Sequence, residues 1–341
     1  METVFFYEKD LPKAAALLRR GELVAFPSET VYGLGAVAVD EQAVEKVYLA
    51  KGRPSDNPLI VHVDSPEMVE HYAYMDNPQA RVLMERFWPG PLTIILPMRK
   101  GILSKTVTGG LTTAAFRMPN HPLTLKLIKE TGEALVGPSA NTSGKPSPTN
   151  AKHVYHDLQG KIAGVVDGGT SLIGVESTVI DLSEMGVATI LRPGAITFEM
   201  LQELLPNVQV DQHLVCEEET PKSPGMKYKH YAPNAKVVMI DVKKENWQEA
   251  IDFALAKNYR IGLLADREIT EQFSAKVTAV YSLSEYHNLK YATARLFDGL
   301  RKLDAVTPPL DIIFAQTFTE RGLGVAYMNR LKKASGQKYF S

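Results

Sequence analysis

The sequence predicts an α/β protein of two domains. Short apolar runs alternate with amphipathic stretches of about ten residues along most of the chain. The 341 residues exceed an ordinary single domain of about 150. The alternation also breaks once, between Pro206 and Pro233, and then starts afresh. The expected division is a first domain over 1–205, a connecting segment over 206–235, and a smaller doubly wound, Rossmann-like domain over 236–341.

The run LPKAAALLRR at 11–20 predicts a short helix, followed by a buried strand over Glu22–Phe26 that Pro27 ends. Gly33 and Gly35 read as a turn. Over Glu41–Ala50 the spacing of Ala43, Val44, Val47 and Tyr48 predicts a helix that delivers Lys51 at its C-terminal end. Further strands are expected at Leu59–Val63, Leu92–Pro97, Ala114–Arg117, Ala134–Val136, Val165–Asp167, Ser177–Asp181 and Thr189–Arg192, with helices near 78–87, 122–131 and 151–158. The segment from Pro206 carries Glu217, Glu218 and Glu219, then Pro221, Pro224, Gly225 and the polar aromatic run MKYKHYAP. Its composition suits either a tether or a binding loop. Beyond Pro233 the expected order is strand Val237–Asp241, helix Glu245–Lys257, strand Ile261–Ala265, strand Val277–Ser282, helix Leu289–Leu303, strand Asp311–Ala315 and helix Gly322–Lys333.

With 45% hydrophobic and 23% charged residues and a mean hydropathy of −0.12, the chain can bury a sizeable core, which excludes disordered and collagen-like classes. No run approaches the roughly 18–20 apolar residues of a membrane-spanning helix. The lone Cys216 can form neither an internal disulfide nor a zinc cluster. A cytoplasmic location is the expectation. Net charge is −1 overall, −4 over 1–205 and +3 over 206–341, so neither half carries the field that would hold a polyanion by counterion release.

Several motifs fail on inspection. Gly33-Leu-Gly35-Ala-Val-Ala38 matches a dinucleotide fingerprint, but the residues after it read as extended and not as the start of a helix. Gly144-Lys145 is followed by Pro146 where a phosphate-binding loop needs Ser or Thr. Ser139 lies in GPSAN, which is not a nucleophile elbow. His153 and His156 lack further ligands beside them and read as a solvated helix face.

What remains is a series of polar groups set among Pro and Gly: PSETVYGLG at 27–35, Lys51-Gly52-Arg53-Pro54, Asn57-Pro58-Leu59, His62, FWPGPLT at 87–93, Thr113, Arg117-Met118-Pro119, PSANTSGKP at 138–146, GVESTV at 174–179 and Leu191-Arg192-Pro193-Gly194. Cations at 51, 53, 117, 145 and 192, with hydroxyls and amides at 139, 141 and 177, suit an anionic, phosphate-bearing ligand. Taken alone, the residues indicate only a phosphate or nucleotide site.

The Lys51/Arg53 and Ser139/Asn141 pairs, with PSETVYGLG, DNPLIVH, FWPGPLT and GVESTVIDL in this order, resemble the YrdC-like family of threonylcarbamoyl-AMP synthases, and SPGMKYKHYAP at 223–233 resembles the linker of its long, two-domain form. Ser28 stands where threonine is common and keeps the hydroxyl. The resemblance implies a twisted open sheet with helices in the first domain, and a reaction joining L-threonine, bicarbonate or CO2, and ATP with Mg2+ into threonylcarbamoyl-AMP and pyrophosphate. It implies that Thr30, His62, Arg117, Gly137 and Ser177 hold threonine. It implies that Lys51, Arg53, Asn57, Thr113, Ser139, Asn141, Ser147 and Arg192 hold ATP, with Lys51, Arg53, Ser139 and Asn141 the catalytic set and with His230 and Tyr231 closing over the site as a lid. It further implies hand-off of the product to a separate enzyme that modifies tRNA. No residue announces itself as the base. Two other readings are weighed: a non-catalytic RNA-binding or ribosome-associated module, against which the −4 charge of the first domain counts, and a carbamoyltransferase of hydrogenase maturation, which needs zinc-finger cysteines that a one-Cys chain lacks.

Overall fold

A computed structural model describes residues 2–55, 57–211, 231–244, 246–285 and 287–340. The chain forms two compact units. One comprises the chain up to Ser143, Pro148–Leu172 and the described residues from Glu176 to Asp211; the other comprises Gly144–Ser147, Ile173–Val175 and the described residues from Tyr231 onward.

The described part of the first unit contributes eleven strands: β1 (Val4–Phe6), β2 (Val24–Phe26), β3 (Gly33–Val37), β4 (Ile60–His62), β5 (Leu92–Pro97), β6 (Thr113–Arg117), β7 (Leu135–Val136), β8 (Gly164–Val166), β9 (Thr178–Asp181), β10 (Ala188–Arg192) and β11 (Val208–Val210). They form one mixed sheet in the order β1-β8-β2-β3-β7-β4-β6-β5-β9-β10-β11. The strands are short and mostly apolar because both faces are covered. One face carries Val61, Phe116, Val136, Ile94 and Ile180 into the main core, together with the helices Glu41–Lys51 and Pro78–Phe87. On the other face, Phe26, Val24, Val37 and Leu135 pack with helices Leu11–Arg19 and Pro122–Thr131.

Helix Glu41–Lys51 begins where the Asp40 carboxylate accepts from the Ala43 amide at 3.0 Å and ends where Gly52 takes φ 62°. An Asp N-cap and a left-handed glycine set both ends. Lys51 is thereby fixed on the last turn, facing inward.

The expected turn at Gly33 and Gly35 is instead β3, paired antiparallel with β2 through Phe26–Gly33 and Val24–Gly35. These glycines are required by space. A Cβ on Gly33 would lie 2.7 Å from the Phe26 ring, and one on Gly35 would lie 2.6 Å from the Val24 carbonyl. Helices Lys105–Thr108 and Phe198–Gln202 escaped the sequence reading, as did β1, β11 and helix Pro66–Tyr72. β1 and helix Pro66–Tyr72 are short, although the latter has a Ser65 cap and a proline at its first position. β11 lies inside the segment assigned to the connection and, among the described residues, pairs parallel with β10 alone; with Gln209 and Val210 exposed it has no buried alternation to announce it.

The second unit holds a parallel sheet of β12 (Lys236–Ile240), β13 (Ile261–Ala265), β14 (Ala279–Ser282) and β15 (Ile312–Gln316), ordered β12-β15-β13-β14. Trp247, Ala250, Ile251 and Ala254 of helix Trp247–Ala256 cover one face with Val238, Ile240, Leu263 and Phe314. Helix Leu289–Asp304 meets the opposite face at Gly299, where a Cβ would lie 2.4 Å from Leu264. Two covered faces match the expected doubly wound arrangement; helix Arg267–Phe273 was not anticipated. Lys145 belongs to this unit and pairs with Asp304 at 3.4 Å, and Arg301 donates to the Pro146 carbonyl at 3.0 Å. Among the described residues no helix is long and apolar enough to cross a membrane.

Replacing Gly33 by Ala forces a methyl into the Phe26 ring, and the expected loss of stability is about 1–3 kcal/mol. Thermal or urea unfolding of Gly33→Ala against the parent protein measures it.

Candidate active site

Residues paired directly across strands point to the same face of a sheet. His62 opposite Arg117, Ile60 opposite Ala115, Ile95 opposite Ala115, and Thr93 opposite Val179 therefore share one face of β4, β6, β5 and β9. Ile60, Ile95, Ala115, Val179 and Leu191 make that face a small apolar platform. The β9–β10 register slips between Ile190 and Arg192, a bulge that brings Arg192 opposite Val179 and so onto the same face. Arg192 donates from Nε to the Ser177 carbonyl at 3.0 Å and from Nη2 to Ser177 Oγ at 3.1 Å, and Ser177 Oγ lies 2.8 Å from Thr93 Oγ1.

Arg117 ends β6 and is buried. Its Nη1 donates to Thr30 Oγ1 at 2.8 Å and its Nε to the Gly90 carbonyl at 3.2 Å. Its Nη2 stands 2.8 Å from Glu29 Oε2, a charge contact whose alignment does not make a hydrogen bond. Residues 27–32 reach Arg117 because they are clamped: Ser171 Oγ donates to the Ser28 carbonyl at 2.8 Å, Ser28 Oγ donates to the Val31 carbonyl at 2.6 Å, and Tyr32 Oη donates to the Gly169 carbonyl at 2.7 Å. Burial pushes the Tyr32 hydroxyl well above its ordinary range, so it remains a donor.

His62 is enclosed, with its ring edge-on to Phe26 at 5.3 Å. Burial first, and then the neighbouring Arg117 charge, lower its pKa from 6.5 to about 3, so the imidazole is neutral. Gly137 lies against this pair, where a Cβ would be 2.6 Å from His62 Nδ1 and from Phe26 Cζ.

Next to this face, Lys51 donates from Nζ to the Ser139 carbonyl and, at 2.8 Å, to the Asn141 carbonyl. The two-residue spacing of Ser139 and Asn141 thus places both carbonyls on one ammonium, and the Lys51 carbonyl in turn accepts from the Ser143 amide at 2.9 Å. Asn57 is buried, yet neither amide atom of its side chain has a hydrogen-bond partner; its carbonyl accepts from Tyr48 Oη at 2.9 Å and from Arg53 Nη2 at 3.3 Å. Among the described residues no group of three or more His, Cys, Asp or Glu is placed to hold a metal ion.

Buried cations, neutral donors and one unsatisfied amide fit an anionic substrate better than a hydrolytic nucleophile. The comparisons with known proteins agree. Residues 16–194 match the Sua5/YciO/YrdC family model, described as telomere recombination, and residues 196–336 match the C-terminal domain of threonylcarbamoyl-AMP synthase. The chain belongs to the threonylcarbamoyl-AMP synthase family. It is 48% identical to the threonylcarbamoyl-AMP synthase of Bacillus subtilis, covering 96% of this chain and 94% of that one. It is 43% identical to that of Pyrococcus abyssi, covering 95% and 94%. The crystal structure of P. abyssi Sua5 complexed with L-threonine superposes with a TM-score of 0.92 at 41% identity, covering 100% and 99%.

Of the synthase residues expected from sequence, Thr30, His62, Arg117, Gly137, Ser177 and Arg192 come together in the first unit, and Lys51, Ser139 and Asn141 form one linked group there. Thr113 shares a strand face with Arg117 but stands about 13 Å away at the far end of β6. Ser147 is buried and grouped with the second unit. Tyr231, also in that unit, has φ 64° and lays its ring 5.0 Å from that of Phe297. His230 lies outside the described residues. The sequence reading gave no role to Glu29, Thr93 or the Gly90 carbonyl, although an acid between Ser28 and Thr30 just after a fully apolar strand was a visible signal.

Because the folded state holds His62 neutral, its contribution to stability is complete above about pH 6.5 and is lost progressively as pH falls from there towards about 3. His62→Gln is therefore expected to lose less melting temperature than the parent protein on acidification from pH 7 to 4.5, as a pH series of thermal melts will measure.

Proposed function

We propose that the first unit condenses L-threonine, bicarbonate or CO2, and MgATP into threonylcarbamoyl-AMP and pyrophosphate. The observation that carries this is the convergence of Arg117, His62, Ser177 and Arg192 on one sheet face, beside the loop that Lys51 fixes. In this reading Arg117 takes the threonine carboxylate, as a guanidinium whose Nη2 still lacks a hydrogen-bond acceptor can. Thr30 and Ser177 supply hydroxyls, neutral His62 supplies a ring nitrogen free of charge, and Gly137 keeps the room beside it open.

ATP is held by Arg53, Asn57, Thr113, Ser139, Asn141, Ser147 and Arg192, with the unsatisfied Asn57 amide offering both a donor and an acceptor. Lys51 holds ATP with them and also fixes the loop, donating to the Ser139 and Asn141 carbonyls. Magnesium bound with the nucleotide would offset the negative charge of its phosphates, which Arg53 and Arg192 would share. His230 and Tyr231 close over the bound nucleotide. A free carbamate reverts in water, so closure protects it. The product passes to a second enzyme that transfers the threonylcarbamoyl group to tRNA, in the cytoplasm.

Arg53→Ala and Ser139→Ala are each expected to lower turnover by about 10²–10³, whereas His153→Ala, a residue tied to the cap of helix Ala151–Leu158, leaves it nearly unchanged. The assay is pyrophosphate release from MgATP with and without threonine and bicarbonate, with serine as control. Release that requires both co-substrates supports the reading. Release with neither, or salt-sensitive RNA binding without turnover, contradicts it.

A further inference from the structure

Glu29 has no part in the roles above, yet its surroundings are unusual. It is 7% exposed, and neither carboxylate oxygen receives a hydrogen bond. Arg117 Nη2, 2.8 Å away, is likewise without an acceptor, while Nη1 and Nε of the same guanidinium are engaged by Thr30 and Gly90. The backbone on either side is held by Ser171 and by the Ser28 hydroxyl. A buried carboxylate without donors is costly, and a bound ligand that supplies them removes the cost.

The other titratable group facing Glu29 is His121, at the start of helix Pro122–Thr131. Its Nδ1 also lacks a partner, and burial lowers its pKa below the ordinary value, so it adds no positive charge to satisfy Glu29. What the Glu29–Arg117 pair presents is one negative and one positive group side by side, each with unused hydrogen-bonding capacity. An α-amino acid zwitterion carries the complementary pair on neighbouring atoms.

We propose that Glu29 receives the α-ammonium of threonine and removes one of its protons, while Arg117 takes the carboxylate. This rests on the threonylcarbamoyl-AMP reading above. An N–H bond breaks, its electron pair stays on nitrogen, and the proton becomes the O–H of Glu29. That proton then passes to the hydroxyl of bicarbonate, which leaves as water and yields CO2. The nitrogen pair attacks the CO2 carbon, a C–O π pair moves onto oxygen, and the second nitrogen proton goes to solvent, leaving the carbamate anion beside Arg117. Glu29 is restored once its proton has left.

The test is Glu29→Gln in the full chain, assayed by pyrophosphate release with MgATP, bicarbonate and varied threonine across pH 6–9.5, with melting temperature and MgATP affinity measured alongside. The expected result is a threonine KM raised by about tenfold or more, with an ATP KM and melting temperature close to the parent's. The variant's rate should also climb steeply with pH, as solvent comes to remove the ammonium proton in place of the carboxylate. A parental threonine KM overturns the proposal, and so does a raised KM with an unchanged pH profile, which would reduce Glu29 to charge balance. Should Glu29→Gln not fold, Glu29→Asp keeps the charge on a shorter arm and must raise the threonine KM while preserving the pH profile; parental kinetics there also overturn it. If the parent protein itself fails to release pyrophosphate in a threonine- and bicarbonate-dependent way, it is the reaction assignment that has failed.

Discussion

Burying the Arg117 guanidinium is the constraint on which the first unit's arrangement depends. A charge at the end of a central strand is tolerated only if its surroundings supply an opposite charge and acceptors. Here these come from separate stretches of chain: Thr30 and Glu29 follow β2, and Gly90 precedes β5. Drawing those loops to one strand end brings β2, β5 and β6 into a common polar corner. The loop over residues 27–32 can reach it because Ser171 and Tyr32 hold it down. The glycines at 33, 35 and 137 leave the space that the Phe26 ring occupies behind it.

A second polar group is organised by Arg192. The bulge in β10 rotates it onto the platform face, where Ser177 and Thr93 complete a chain of hydrogen bonds. Lys51 forms a third, delivered by a helix whose ends are set by Asp40 and Gly52. In each case an irregular or terminal position of a regular element presents the functional group. Rigid backbone supports all three, as a preorganised site requires. The apolar platform of Ile60, Ile95, Ala115 and Val179 keeps water from the underside of these groups, which strengthens every charge contact above it.

Much of this was legible in the sequence, for physical reasons that differ by residue. The helix ending at Lys51 announced itself by its apolar spacing, and the strands carrying His62, Arg117 and Arg192 by short apolar runs between Pro and Gly. The motif order identified the family. β3 did not read as a strand because its glycines serve packing against Phe26, a contact that no local pattern records. β11 and helix Pro66–Tyr72 were too short to build a period. Glu29 was missed because its meaning lies in Arg117, 88 positions away in the chain and adjacent only in the fold. Lys51 read as a phosphate-binding cation; that it also braces the Ser139–Asn141 loop through two carbonyls shows only in the fold.

The central claim is that this sheet face joins threonine to a one-carbon unit before the nucleotide is cleaved. Mass spectrometry of the product formed from threonine, MgATP and 13C-bicarbonate tests it most directly. The account predicts an adenylate that contains threonine and one 13C atom. An unlabelled threonyl adenylate, or cleavage of ATP with threonine left unmodified, would contradict it.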